Sequence, residues 1–174
     1  MRIKLLIITL AIFFSSTVHA FDLSATAGVY IPSGKNADIY DIGYTLSLTA
    51  SKDLLPTLDL KTSWVYSYTD GKANGTNYEL KSHGIQAMVV FTPPTPVFKP
   101  YIGAGYGGYY NKFTETGAQN RNDSSFGHGP VAQAGIGMQL AVVRLGLDAK
   151  YALNITDGDS YGNFSVGLSA GLAF

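Results

Sequence analysis

The sequence predicts an all-β protein, specifically an eight-stranded antiparallel up-and-down transmembrane β-barrel, on three observations. Apolar and small or polar residues alternate with a period of two in segment after segment, the pattern of strands with two unlike faces. Charged residues make up only 14% of the 174-residue chain, against about 25% in an ordinary soluble domain. The connections between segments alternate between short or stiff and longer, polar and turn-rich, as in transmembrane barrels.

The N-terminus sets the context. Met1, Arg2 and Lys4 flank the apolar run Leu5 to Phe14, and Val18-His19-Ala20 fits a small-x-small cleavage site, so residues 1–20 are predicted to be a secretory signal peptide and residues 21–174 one barrel domain. The run is ten residues long, against the roughly 20 that a spanning helix needs. Removing Arg2 and Lys4 leaves ten Lys and Arg against twelve Asp and Glu, with no basic patch for nucleic acid. There is no cysteine, hence no disulfide framework and no site for cysteine lipidation.

The strands follow in order. Phe21, Leu23, Ala25, Ala27, Val29 and Ile31 alternate with Asp22, Ser24, Thr26, Gly28 and Tyr30. Ile42, Tyr44, Leu46, Leu48 and Ala50 alternate with Gly43, Thr45, Ser47, Thr49 and Ser51. Leu58, Leu60, Trp64, Tyr66 and Tyr68 oppose Asp59, Lys61, Ser63 and Ser67; Ile85, Ala87, Val89 and Phe91 oppose Gly84, Gln86 and Met88. Phe98, Pro100, Ile102, Ala104, Tyr106 and Tyr110 alternate with Lys99, Tyr101, Gly103, Gly105, Gly107 and Tyr109. Ala132, Ala134, Ile136, Met138 and Leu140 alternate with Gln133, Gly135, Gly137 and Gln139. Val143, Leu145, Leu147, Ala149, Tyr151 and Leu153 alternate with Arg144, Gly146, Asp148, Lys150 and Asn154. The last segment sets Phe164, Val166, Leu168, Ala170, Leu172 and Phe174 against Ser165, Gly167, Ser169, Gly171 and Ala173. Short connections are expected at Ser51 to Pro56, Thr92 to Pro96 and Leu140 to Val143, and longer loops at Pro32 to Asp41, Thr69 to Tyr78, Lys112 to Phe126 and Thr156 to Gly162.

Which face meets lipid follows from size and from the aromatics. A Gly and Ser face makes a poor soluble surface but suits a narrow eight-stranded lumen. On the other face Phe21, Phe91, Phe98 and Phe174 fall near the short-turn end, and Tyr44, Trp64, Tyr66, Tyr110, Tyr151 and Phe164 toward the loop end. Two such belts are what membrane interfaces select. This arrangement favours lipid contact over a soluble sandwich or a lipocalin-like barrel.

The chain resembles the small eight-stranded outer-membrane proteins of Gram-negative bacteria, the group of the OmpA transmembrane domain and OmpX. The resemblance rests on Lys99-Pro100-Tyr101-Ile102-Gly103-Ala104-Gly105-Tyr106-Gly107, similar to that group's Pro-Tyr-x-Gly-x-Gly strand, and on the terminal Phe174. It implies residence in the bacterial outer membrane, in contact with its lipids and lipopolysaccharide. It also implies an assembly signal read by the barrel assembly machinery, carried here by Phe164, Val166, Leu168, Ala170, Leu172 and Phe174. Since the sequence stops at Phe174, a peptidoglycan-binding domain like that of full OmpA is not expected.

Inward-facing charge is concentrated in Asp22, Asp59, Lys61, Lys99, Arg144, Asp148 and Lys150, with Gln86, Gln133 and Gln139 beside them. Buried charges must pair, so Asp22, Asp59 and Asp148 are expected to pair among the four cations as a polar plug; a gated ion path is the sharper alternative. Gly103-Ala104-Gly105-Tyr106-Gly107-Gly108 matches a dinucleotide fingerprint, but the strand alternation continues through Tyr109 and Tyr110, where that motif needs a turn into a helix. Asp157-Gly158-Asp159-Ser160 lacks the spacing and closing Glu of an EF-hand, so no metal site and no cofactor are expected. Lipid A deacylases and palmitoyltransferases occur on small barrels of this kind. Only His83 and His128 could serve them, and His128 is followed by Gly129 and Pro130 where such deacylases carry a Ser two residues on. An enzyme would need one of these histidines within reach of a hydroxyl or carboxylate at the lipid boundary. The expected function is a non-enzymatic envelope or surface-contact role, with Lys112 to Phe126 as the loop for a surface partner; the alternatives are a narrow channel and a lipid A-modifying enzyme.

Overall fold

The computed structural model describes residues 21–34, 37–73, 75–95, 97–117, 120–156 and 159–174. The predicted signal peptide and Asp157-Gly158 therefore lie outside the described residues. Eight strands run in chain order: β1 (Phe21–Ser33), β2 (Gly43–Leu55), β3 (Leu58–Ala73), β4 (Thr76–Phe91), β5 (Phe98–Thr116), β6 (Arg121–Leu140), β7 (Val143–Thr156) and β8 (Asp159–Ala173). Each pairs antiparallel with its sequence neighbours, and β1 pairs with β8 to close the barrel. The seam is sealed to its end, since Phe21 N donates to Phe174 O at 3.1 Å and Phe174 N to Phe21 O at 2.9 Å.

Register carries the sequence alternation into two faces. Leu23↔Leu172, Ala27↔Leu168 and Val29↔Val166 line up on the outside of the seam, and Ser24↔Gly171 and Gly28↔Gly167 on the inside. Outward side chains such as Leu48, Ile85, Ile102 and Leu168 are 58 to 70% exposed, which in water would be a large apolar penalty and in hydrocarbon is none. Several inward positions hold glycine because the neighbouring strand leaves no room for a Cβ. A Cβ on Gly105 would run into the carbonyl oxygen of Ala87, and one on Gly28 into that of Val166.

The short connections fall where they were expected, between β2 and β3, β4 and β5, and β6 and β7. The last turns on Ala141, a non-glycine residue at φ 53°, a left-handed conformation costing roughly 1 kcal/mol. At the opposite end the expectation needs correction. Lys112 to Phe126 is not a loop but mostly strand, paired through Glu115↔Arg121. Thr69 to Tyr78 is likewise a ribbon, paired through Ala73↔Thr76 with Gly75 turning at φ 80°, and β7 and β8 pair up to Thr156↔Asp159. Outside the membrane both faces of a ribbon meet water, so apolar alternation disappears while backbone pairing continues. The Asn-Gly pair at 74–75 was the available signal for a tight hairpin. Strands β5 and β6 have 19 and 20 residues, where about 9 to 11 cross a bilayer, so this ribbon stands well clear of the membrane.

Inside the barrel, Met88, Val90, Tyr109, Val131 and Ala152 form a small apolar cluster, with Tyr101 against it.

Gly105→Ala is expected to destabilise the barrel by about 1–3 kcal/mol, the range for overpacking a tight site. Gly137→Ala, whose Cβ would meet nothing closer than 3.7 Å, should be close to neutral. Urea unfolding in lipid vesicles, followed by the heat-dependent gel shift, compares the two.

Candidate functional site

The chemistry-bearing residues meet in the lumen because antiparallel register brings inward positions from all walls to similar depths. Six of the seven predicted charges, Asp22, Lys61, Lys99, Arg144, Asp148 and Lys150, line one cavity of about 80 Å³. Asp59 is buried but lies off that cavity, near the short-turn end, and accepts a hydrogen bond from Thr92 Oγ1 at 3.0 Å. It faces Asp53 across the β2–β3 pair.

The expected pairing is realised in one place. Arg144 Nη1 donates to Asp22 Oδ2. The contact joins β7 to β1, two strands that do not pair directly with each other. Asp148 is not taken by a lysine. Its Oδ1 accepts from the Tyr101 hydroxyl and from Gln133 Nε2, the latter at 2.5 Å. Lys61 lies over the Tyr101 ring, 4.0 Å from its centroid, a cation–π contact. Lys150 Nζ donates to Gln86 Oε1 at 2.9 Å, and Gln86 Nε2 donates in turn to the Tyr109 hydroxyl at 3.1 Å. Lys99 reaches Gln139 Oε1 at 3.0 Å at the exposed rim. The plug is therefore a network of neutral and charged hydrogen bonds around a single described lumen ion pair. Asp148 is buried, and amide and phenol donors compensate part of its desolvation.

The opposite wall carries hydroxyls. Thr49 and Ser63 share a bond of 2.8 Å, and Ser67 donates to Thr45 Oγ1 at 3.1 Å. Toward the loop end, buried Tyr30, Tyr109 and Tyr161 narrow the lumen. Asn154 Nδ2 donates to the Tyr161 hydroxyl at 2.8 Å and to Asn111 Oδ1 at 3.2 Å. Sequence reasoning missed this tyrosine stopper and the apolar patch as parts of the closure. Tyr30, Met88, Tyr101 and Tyr109 already stood on the inward side of the alternation, and only their size went unused; Tyr161 fell inside an expected loop.

The remaining candidates lie on the outer surface. Tyr44, Trp64, Tyr110, Tyr151, Phe91 and Phe98 are 45 to 58% exposed, and Tyr66 is half-buried beside them. Tyr44 stacks on Tyr68 with centroids 5.3 Å apart, and Tyr66 lies 4.9 Å from His83. His128 Nδ1 is 2.6 Å from the Tyr106 hydroxyl, on the exposed face. The stated requirement of a hydroxyl in reach of a histidine is thus met by a phenol. Phe164, Leu168, Ala170, Leu172 and Phe174 are exposed along the outside of β8, with Val166 half-buried between them. Above the belt, a hydrogen bond from Lys81 holds the Glu79 carboxyl below the usual carboxylate range, and the two charges lie 2.7 Å apart.

No family model matches the chain, and no curated protein matches it in sequence. Solved structures do match its fold. A major outer membrane protein from Thermus thermophilus aligns with a TM-score of 0.62 at 16% identity, covering 91% of this chain and 100% of that one. Ail, the attachment invasion locus protein of Yersinia pestis, aligns at 0.60 with 16% identity, covering 91% and 100%. Ail has also been solved in complex with the heparin analogue sucrose octasulfate. Neisserial surface protein A aligns at 0.59 with 22% identity, covering 88% and 97%.

Asp22→Ala is expected to destabilise the barrel by about 3 kcal/mol, because it strands the Arg144 charge in the lumen. The double variant Asp22→Asn, Arg144→Met should recover most of that loss. A double-mutant cycle of unfolding midpoints measures the coupling.

Proposed function

We propose that this chain, which has the fold of the small outer-membrane β-barrels, works in the bacterial outer membrane as a closed, non-enzymatic barrel that holds its β3–β4 and β5–β6 ribbons at the cell surface for contact with a partner. The carrying observation is the length of β5 and β6, which exceeds what the bilayer requires. Strand beyond the membrane adds nothing to the seal of the barrel. The extra pairs, from Lys112↔Ser124 to Glu115↔Arg121, instead present a stiff surface.

The chemistry of that surface narrows the partner. The two ribbons carry Lys72, Lys81, Lys112 and Arg121 against Asp70, Glu79, Glu115 and Asp123. Arg121 and Asp123 already pair at 2.6 Å. A sulfated polymer like the analogue seen with Ail would meet as much repulsion as attraction, so a protein surface of mixed charge suits the ribbons better. Lipid contact falls to the exposed apolar band, and the outward row from Phe164 to Phe174 serves as the assembly signal.

Two features support the closed and non-enzymatic parts. Met88, Val90, Val131, Tyr30, Tyr109 and Tyr161 crowd the lumen with bulky groups, which opposes a continuous water path. Tyr106 and His128 have stacked rings, and among the described residues no carboxylate orients the imidazole as a hydrolytic base requires.

Planar-bilayer recordings of the purified chain should show no steady current, and a reproducible one would establish the channel reading instead. Incubation with lipopolysaccharide should release no fatty acid; release that depends on His128 would establish an enzyme. Replacing residues 113–124 by a two-residue turn should leave the heat-dependent gel shift intact while abolishing adherence of expressing cells to host-cell or matrix surfaces.

A further inference from the structure

We propose that the lumen holds a small monovalent anion between Lys61 and Lys150. These two side chains enter the same cavity from different walls, β3 and β7. Among the described residues neither ammonium has a carboxylate within ion-pair distance. Lys61 rests on the Tyr101 ring, and Lys150 donates once, to Gln86. An ammonium carries three N–H donors, so most of this donor capacity points into the cavity unmet by protein.

The local charge count favours one negative charge. Asp148 lines the same chamber, but its Oδ1 is already engaged by Tyr101 and Gln133. Asp22 is neutralised by Arg144. Asp59, on the same face of β3 as Lys61, turns to Thr92 at the short-turn end and does not line the cavity, and Lys99 is spent on Gln139 at the rim. Two cations therefore face one carboxylate in mid-lumen, and a single monovalent anion balances them. Hydroxyls complete the donor set: Ser47, Ser51, Ser165 and Ser169 line the same chamber. Its volume of about 80 Å³ holds a halide together with several waters. In a low-dielectric wall, an ammonium with no counter-charge at ion-pair distance is unfavourable, which gives the anion its affinity. A chloride-sized or formate-sized ion fits, and the stopper of Tyr30, Tyr109 and Tyr161 on the loop side directs its entry from the short-turn end.

The site is independent of whether the barrel conducts. The full chain, purified from membranes in detergent, would be titrated with chloride and the chloride-35 line width recorded, and crystals grown in sodium bromide would be examined for anomalous scattering. The expected result is excess broadening with a bromide peak near both Nζ atoms. Either single variant, Lys61→Gln or Lys150→Gln, should weaken binding about tenfold; the pair together should abolish it, and exposed Lys112→Gln should change nothing. Retention of the heat-dependent gel shift identifies variants that still fold. No lumen peak, or broadening that survives the double variant, overturns the proposal. Absence of current with no broadening removes the site and keeps the closed barrel; current with lysine-dependent broadening keeps the site and removes the closed reading.

Discussion

The hydrogen-bonded closure of β1 onto β8 is the constraint on which the rest of this molecule depends. A sheet edge left open in hydrocarbon exposes backbone groups at several kcal/mol each, so the barrel is complete or it does not insert. The two terminal bonds between Phe21 and Phe174 carry the seam to the first residue of β1 and one residue past β8. Once closed, the sheet has an inside and an outside and nothing else, and each residue in the membrane band must suit one or the other. That requirement explains the low charge content, the strict alternation and the distribution of the glycines.

Eight strands also make the interior narrow enough for side chains to reach over a neighbouring strand. Arg144 on β7 reaches Asp22 on β1, and Lys61 crosses β4 to the Tyr101 ring. Cross-strand reach of this kind links walls that the backbone ladder does not connect directly. The arrangement is selective about what it neutralises. Asp148 is satisfied by a phenol and an amide, both of which are dipoles without net charge. Lys61 and Lys150 line the same chamber with no carboxylate at ion-pair distance among the described residues.

Most of the fold was legible because the membrane makes the code binary. Period-two alternation located all eight strands, and the inward face it assigned held Asp22, Lys61, Arg144, Asp148 and Lys150 in the lumen where the structure has them. Pairing among those charges was not legible, since opposite sign alone does not say which side chain reaches which. The competing donors Tyr101 and Gln133 stood on the same face, and local geometry favoured them. The ribbons were illegible for a different reason. Between Lys112 and Phe126 polar residues occupy both faces, so the apolar signal of a strand is gone although the backbone still pairs through Glu115↔Arg121. Only the turn chemistry at Asn74-Gly75 offered a local cue.

This contrast separates two kinds of constraint along single strands. Within the membrane band, β5 is fixed by lipid on one side and crowding on the other: Gly105 has no space for a methyl group, while Ile102 and Tyr106 must be compatible with hydrocarbon and headgroups. From Lys112 onward the same strand leaves the hydrocarbon and the packed lumen and keeps its register with β4 and β6. Composition there is free to follow surface chemistry, and what it follows is balanced charge, as in Arg121 against Asp123 and Lys81 against Glu79. Such pairs in water contribute little stability, so they do not account for a ribbon of this length. A rigid lower half anchored by closure can carry an upper half whose sequence is set by what it touches, and the physical boundary between the two lies at the aromatic belt of Tyr44, Tyr66 and Tyr110.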